Sequence, residues 1–369
     1  MSSKRMSSSR VNPFRRWMPA VGMGAGLLLG GCPPQTGPEP DPAEAVFSLE
    51  NKRQALGALL IAPGWGAPEI VTGGAQSIGW EDSAYVSRDG RTLSFMYLAA
   101  DVLVWDAQTN LDPARFDDFR RGPDHGNDPP HTVRFYTTQI AADGTTSEPI
   151  PFPFAKPGRG ECCGMLAGNG DWYYSATPPL PAYDLDIYRN DERLAFNTPL
   201  EEGDPHYDDA TRTIYFDSGD RVGTPQPGKA NIWMTQLADD GAWSTPILLA
   251  APINRPEGDE VQPHIGPDGQ LYFSSDREGG GTAIFASQRL GDNIWSEPRK
   301  VVGPPLDASA ASGPLSVAGV GEPTLTDAGV LYVNVLFFDR ATEAFDPDIV
   351  RLPPSSSFGQ SRVSDPGGR

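Results

Sequence analysis

The sequence predicts an all-β protein: a β-propeller of four-stranded blades, five in number, closed by a strand from the N-terminal side. Three observations carry this reading. A short unit ending in an aromatic strand recurs five times along the chain. Gly (41) and Pro (38) are abundant while long apolar stripes of helical period are missing, so the chain spells short strands joined by turns. The last copy lacks an outer strand that a segment ahead of the first copy supplies, which is what closing a ring requires.

The clearest copy is "EVQPHIGPDGQLYF", from Glu260 to Phe273. Asp268-Gly269 predicts a tight hairpin of type I′, whose two central residues both take positive φ. "EGDPHYDDATRTIYF" from Glu202 and "EDSAYVSRDGRTLSF" from Glu81 each carry one extra turn residue, and "ECCGMLAGNGDWYY" from Glu161 replaces Asp-Gly with Asn169-Gly170. "EPTLTDAGVLYV" from Glu322 is the fifth copy. Third strands follow as "HTVRFYTT" near 131, "DLDIYR" near 184, "ANIWMT" near 230, "TAIFAS" near 282 and "PDIVRL" near 347. Outer strands then carry Pro at a fixed place: "SEPIPF" at 147, "TPLEE" at 198, "WSTPILL" at 243 and "WSEPRKVV" at 295. Pro lacks the ladder donor, so it suits an edge. The fifth outer strand is "GWGAPEIV", residues 64 to 71. The stretch 103–130 reads as an insertion in blade one; a degenerate sixth blade there is the alternative. One propeller domain is thus expected over 46–353, ahead of a disordered tail, 354–369.

The unit "PHIGPDGQLYFSSDREGG…IF…NIWSEP" resembles the TolB-type β-propeller repeat, the WD40-like Asp-Gly repeat of periplasmic proteins. The resemblance implies a propeller that often binds proteins, and no reaction. Six blades are typical of that family, so five is a departure.

The N-terminus reads as an export leader. Lys4, Arg5, Arg10, Arg15 and Arg16 precede an apolar run too short to span a bilayer comfortably. Leu29-Gly30-Gly31-Cys32 resembles the bacterial lipobox, implying cleavage after residue 31 and lipidation of Cys32. The Pro-rich stretch 32–45 then reads as a tether. Pro33 after the lipidated Cys favours the outer membrane by resemblance to known sorting rules. Without those five basic residues the chain keeps twenty-four Lys and Arg against forty-eight Asp and Glu. So acidic a surface repels nucleic acid and anionic lipid headgroups, which leaves an envelope protein or polysaccharide as partner and the lipid anchor as the membrane contact.

Aligned on their aromatic strands, Glu81, Glu161, Glu202 and Glu260 fall at one equivalent place; in the fifth copy that place is Val320, with Glu322 two residues on. His206 and His264 match each other in consecutive copies, and Asp82, Asp204 and Asp259 lie beside the glutamates. Innermost strands of a propeller start around one channel mouth, so these groups are candidates for a ligand or a Ca²⁺ ion, with Glu202, Glu260, Asp204 and Asp259 as the metal set. The alternative is solvated loop acids, with the two His packed at strand starts. Cys162-Cys163 is open to three readings: a vicinal disulfide, a metal-binding pair or two small buried residues. Asp124, His125, Asp128 and His131 cluster within eight residues at the end of the 103–130 insertion, where a metal site competes with a mobile loop. No zincin, nucleophile-elbow or P-loop motif occurs in the mature chain. A non-enzymatic protein- or glycan-binding scaffold is therefore the leading expectation. A carbohydrate-active hydrolase with paired carboxylates at the mouth, and Trp80, Trp172 and Tyr173 stacking on sugar, is the alternative.

Overall fold

The computed structural model describes residues 46–77, 79–98, 134–156, 159–177, 185–219, 221, 223, 228–305 and 313–355. The readings of the leader, Cys32, the tether, the 103–130 insertion with its Asp and His cluster, and the tail beyond 355 lie outside these residues.

An N-terminal segment comes first: helix α1 (Leu49–Leu56), capped by the Ser48 hydroxyl, then the two-residue strands β1 (Leu60–Ile61) and β2 (Glu69–Ile70). Blade one is β3 (Trp80–Val86), β4 (Thr92–Leu98), β5 (Arg134–Gln139) and β6 (Ile150–Pro151). Blade two is β7 (Glu161–Leu166), β8 (Trp172–Ala176), β9 (Asp186–Arg189) and β10 (Glu192–Arg193). Blade three is β11 (Gly203–Asp208), β12 (Thr213–Ser218), β13 (Asn231–Gln236) and β14 (Ile247–Leu248). Blade four holds β15 (Glu260–Ile265), β16 (Gln270–Ser275), β17 (Ala283–Gly291), β18 (Ile294–Trp295) and β19 (Arg299–Gly303). Blade five is β20 (Leu315–Leu325), β21 (Leu331–Asp339) and β22 (Ala344–Leu352), with β2 on its outer edge. The chain is thus a five-bladed β-propeller.

Closure follows the sequence expectation, because Glu69 and Ile70 pair antiparallel with Arg351 and Val350. A second N-terminal strand was not legible: β1 pairs with β19 on the edge of blade four. The segment from α1 to β2 therefore staples the outer edges of blades four and five. One outer strand moves. That of blade two is Glu192–Arg193, not the stretch at 198, because β9 turns back at once through Asn190 in the left-handed region.

The repeated sequence signals have local causes. Pro149, Pro246 and Pro298 stand just before outer strands, and the Ser two residues ahead of each clips the third strand. Thr138, Thr235 and Ser287 donate to the carbonyls of Ser147, Ser244 and Ser296, each at 2.6 Å. The Asp-Gly turns are not type I′. Gly90 and Gly269 have positive φ while Asp89 and Asp268 do not; Gly269 N–H donates to the Gly266 carbonyl and Asp268 accepts from Gln270 N–H. That is a type I turn, with Pro267 at its favoured place, followed by one left-handed glycine.

The core lies between blades and within each sheet. Phe95–Tyr136, Tyr174–Tyr188, Phe216–Trp233 and Phe273–Phe285 are cross-strand pairs at equivalent places in blades one to four. Phe95, Phe216 and Phe273 are wholly buried, each contributing about 2–3 kcal/mol by removal from water.

Candidate functional site: the axial cavity

Every innermost strand breaks its ladder at one equivalent place, where a non-glycine residue is left-handed: Ser83, Cys163, Asp204, Gln262 and Glu322, with φ from 50° to 58°. Each stands two residues beyond the repeat glutamate or, in blade five, beyond Val320. A bulge turns the strand and re-aims its side chains. The five line one central cavity, together with Tyr85, His206, His264 and Thr324 two residues further on. The cavity measures ≈ 30 Å³, room for a water or two and too little for a sugar ring.

Much of this lining stitches blade to blade. The N–H groups of Asp204, Gln262, Glu322 and Ala84 donate to Ser175, Asp217, Gln262 and Asn334, each in the preceding blade around the ring. One tier further, Val86, Tyr207 and Leu325 N–H donate to Thr324, Met165 and His264 in the same sense. Gln262 closes a two-point clasp by also donating to the Glu322 carboxyl at 2.6 Å. Since Leu325 N–H occupies His264 Nε2 at 3.0 Å, the ring proton sits on Nδ1, which is buried without a partner. A metal ion at Nδ1 would set two hydrogens against each other at Nε2, so His264 is a hydrogen-bond acceptor rather than a metal ligand. His206 meets it edge to face, with centroids 4.4 Å apart. Burial lowers the His206 pKa to about 3 and holds His264 well below the ordinary value, so both rings are neutral.

The four repeat glutamates are equivalent, as their alignment predicts, but they do not border the cavity. Each is at most 1% exposed, buried inside its blade. Their carboxylates accept from the loop entering the strand: Glu161 from Lys156 N–H, Glu202 from Thr198 N–H, Glu260 from Arg255 N–H and Glu81 from the Ser77 hydroxyl. Three also bind an arginine, Arg159 at 2.8 Å, Arg221 at 2.9 Å and Arg277 at 3.1 Å. Each guanidinium lies over aromatic rings of its own blade, within 4.8 to 5.7 Å. The expected mouth carboxylates are thus internal latches, because the bulge places the residue two positions later on the axis. Burial raises the pKa of Glu202 and Glu260.

The expected metal set is not brought together. Glu202 and Glu260 are latched, Asp259 binds Lys229 at 2.8 Å, and only Asp204 borders the cavity. Among the described residues no three His, Cys, Asp or Glu side chains group to hold a metal ion. Of the residues offered as sugar platforms, Trp80 and Tyr173 are buried in the core and Trp172 packs edge-on against Phe152. Around the cavity, Glu322 is held well above the carboxyl range by burial, then by Asp204 and Asp82, and burial pushes Asp82 up to about 6. Cys162 and Cys163 are free thiols. Ser83, Cys163 and Gln262 were not singled out as an axial set; the repeat alignment held the signal, two places past each glutamate.

No family model matches the chain, and no curated protein matches it. Several solved structures resemble it distantly in shape. A putative TolB from Agrobacterium tumefaciens is 13% identical over 74% of this chain and 81% of its own, with a TM-score of 0.36. A thermostable family-43 glycoside hydrolase is 13% identical over 81% and 99%, with a TM-score of 0.44. An N-acetylgalactosamine deacetylase from F. plautii is 10% identical over 84% and 99%, with a TM-score of 0.47. Likenesses this distant say nothing about activity.

Proposed function

We propose that the chain is an exported, lipid-anchored propeller that serves the cell envelope as a non-enzymatic binding or scaffold module. The observation that carries the reading is the commitment of the axial lining to blade-to-blade bonds around ≈ 30 Å³ of space, which leaves no room for a substrate on the axis. A ring held this way is a rigid frame whose loops at either face are free to vary, and an envelope protein or polysaccharide docks on such loops. The lipobox-like Leu29-Gly30-Gly31-Cys32 supports anchoring, with Pro33 favouring the outer membrane, and the acid excess speaks against nucleic acid. Cys32→Ala is expected to move the protein from the membrane fraction to the soluble one; retention on the membrane at high salt would sink the anchor.

The hydrolase reading draws on one feature, a buried Glu322 whose pKa burial and Asp204 raise, with both residues on the cavity wall, which is how acid and base roles are separated. Purified protein screened against polysaccharides and chromogenic glycosides separates the two. Glycan or protein binding without turnover fits the scaffold. Turnover abolished by Glu322→Gln or Asp204→Asn fits the hydrolase.

A further inference from the structure

In a regular strand, successive side chains point to opposite faces, so adjacent cysteines would have their thiols apart. Here the bulge intervenes: Cys162 keeps its ladder place opposite Ser175, while Cys163 is left-handed and unpaired. Both side chains meet one apolar cluster, Cys162 within it and Cys163 packed against it. Cys162 sits in an apolar cluster with Trp80, Phe135 and Tyr174, whereas Cys163 opens onto the axial cavity and lies 3.4 Å from the Ser83 hydroxyl.

We propose that Cys162-Cys163 is a dithiol site for a thiophilic metalloid satisfied by two sulfur ligands, the chemistry of trivalent arsenic. Three features select this class. The two sulfurs are the donors, for no third His, Cys, Asp or Glu among the described residues completes a metal site with them. The residues are adjacent and their thiols free, and a direct S–S bond between neighbours would close a strained eight-membered ring that a one-atom bridge widens to nine. The surroundings of Cys162 are apolar, which favours a neutral adduct over an ion. Arsenous acid meets that condition. Two S–H and two As–O bonds break, two As–S bonds form, and two waters leave; arsenic stays trivalent and no net charge enters. Burial, the Cys162 contact and Asp204 hold the Cys163 thiol well above its ordinary pKa, so both protons are in place to leave with the departing hydroxides.

The test uses the reduced full-length chain made without lipidation, in which Cys32, the one other cysteine, is a built-in single-thiol control. One equivalent of arsenite is added to the folded protein, and native mass spectrometry and free-thiol counting are read together. The expected result is one arsenic per chain, loss of two thiols with Cys32 still reactive, and a higher melting temperature, since the fold presents the pair ready-made. Cys162→Ser and Cys163→Ser should each weaken binding at least tenfold while melting cooperatively. Where Cys162→Ser does not fold, Cys163→Ser alone decides. An unmodified folded mass, binding only after denaturation, undiminished binding by Cys163→Ser, or thiol loss as a disulfide without arsenic would each overturn the proposal.

Discussion

Lys52 is the side chain whose loss should report most directly on how the N-terminal segment holds the ring closed. It projects from α1 with 1% exposure and binds Asp346 at 2.8 Å and Asp348, both on β22, under the ring of Phe337. Burial works against the ammonium, but Asp348 and then Asp346 outweigh it and raise its pKa; burial raises both aspartates. Lys52→Met keeps the volume and removes the charge. Two buried carboxylates would then face each other, and one must take up a proton to restore the original net charge. Protonating an ordinary Asp at pH 7 costs about 4 kcal/mol, roughly 1.4 for each pH unit above 3.9. This agrees with the 3–5 kcal/mol typical of breaking one side of a buried ion pair.

The sign is fixed by the raised carboxyl pKa. A folded state that binds the extra proton gains stability as pH falls toward the unfolded value, so the deficit should shrink by about 3 kcal/mol between pH 7 and pH 5. Denaturant unfolding of parent and variant at both pH values measures this. The Lys52→Met/Asp348→Asn double variant should lose most of the pH dependence, since its neutral amide stands in for the proton. A deficit below about 1 kcal/mol at pH 7, or one equal at the two pH values, would refute the reasoning.

Other consequences follow from the axis and the seam. His206 has a folded pKa near 3, so acidification from the unfolded value of about 6.5 should cost stability down to about pH 3, approaching ~4 kcal/mol; His206→Asn should remove that part of the acid unfolding profile. His264→Ala strands the buried Leu325 N–H and should cost about 1–3 kcal/mol in denaturant unfolding, whereas loss of only the ring's apolar contacts would leave Leu325 amide exchange protected. A chain starting at residue 46 should melt like the parent, and one starting at 76 should lose cooperative melting and aggregate, because the edges of β19 and β22 are bared. Equal melting of the two would contradict closure by the N-terminal strands.

The sequence by itself determined the architecture, because most blades repeat the same local instructions. Alternating apolar strands, a glycine after Asp or Asn at the turn, and Ser two residues before an edge Pro are short-range signals. The displaced strand at 69–70 was legible for the same reason, since a repeat missing one element shows where that element must be found. Tertiary structure decided where the repeated glutamates point. Alignment made them equivalent, but a one-residue bulge with a left-handed centre turned them into their own blades and put Ser83, Cys163, Asp204, Gln262 and Glu322 on the axis. That conformation carries no sequence signature here, for the five residues share no side-chain chemistry and none is glycine. The closure of the ring imposes it, through N–H groups that must find acceptors in the preceding blade. The Lys52 triad was hidden likewise, since its partners lie nearly three hundred residues away in sequence and only burial reveals that they need one another.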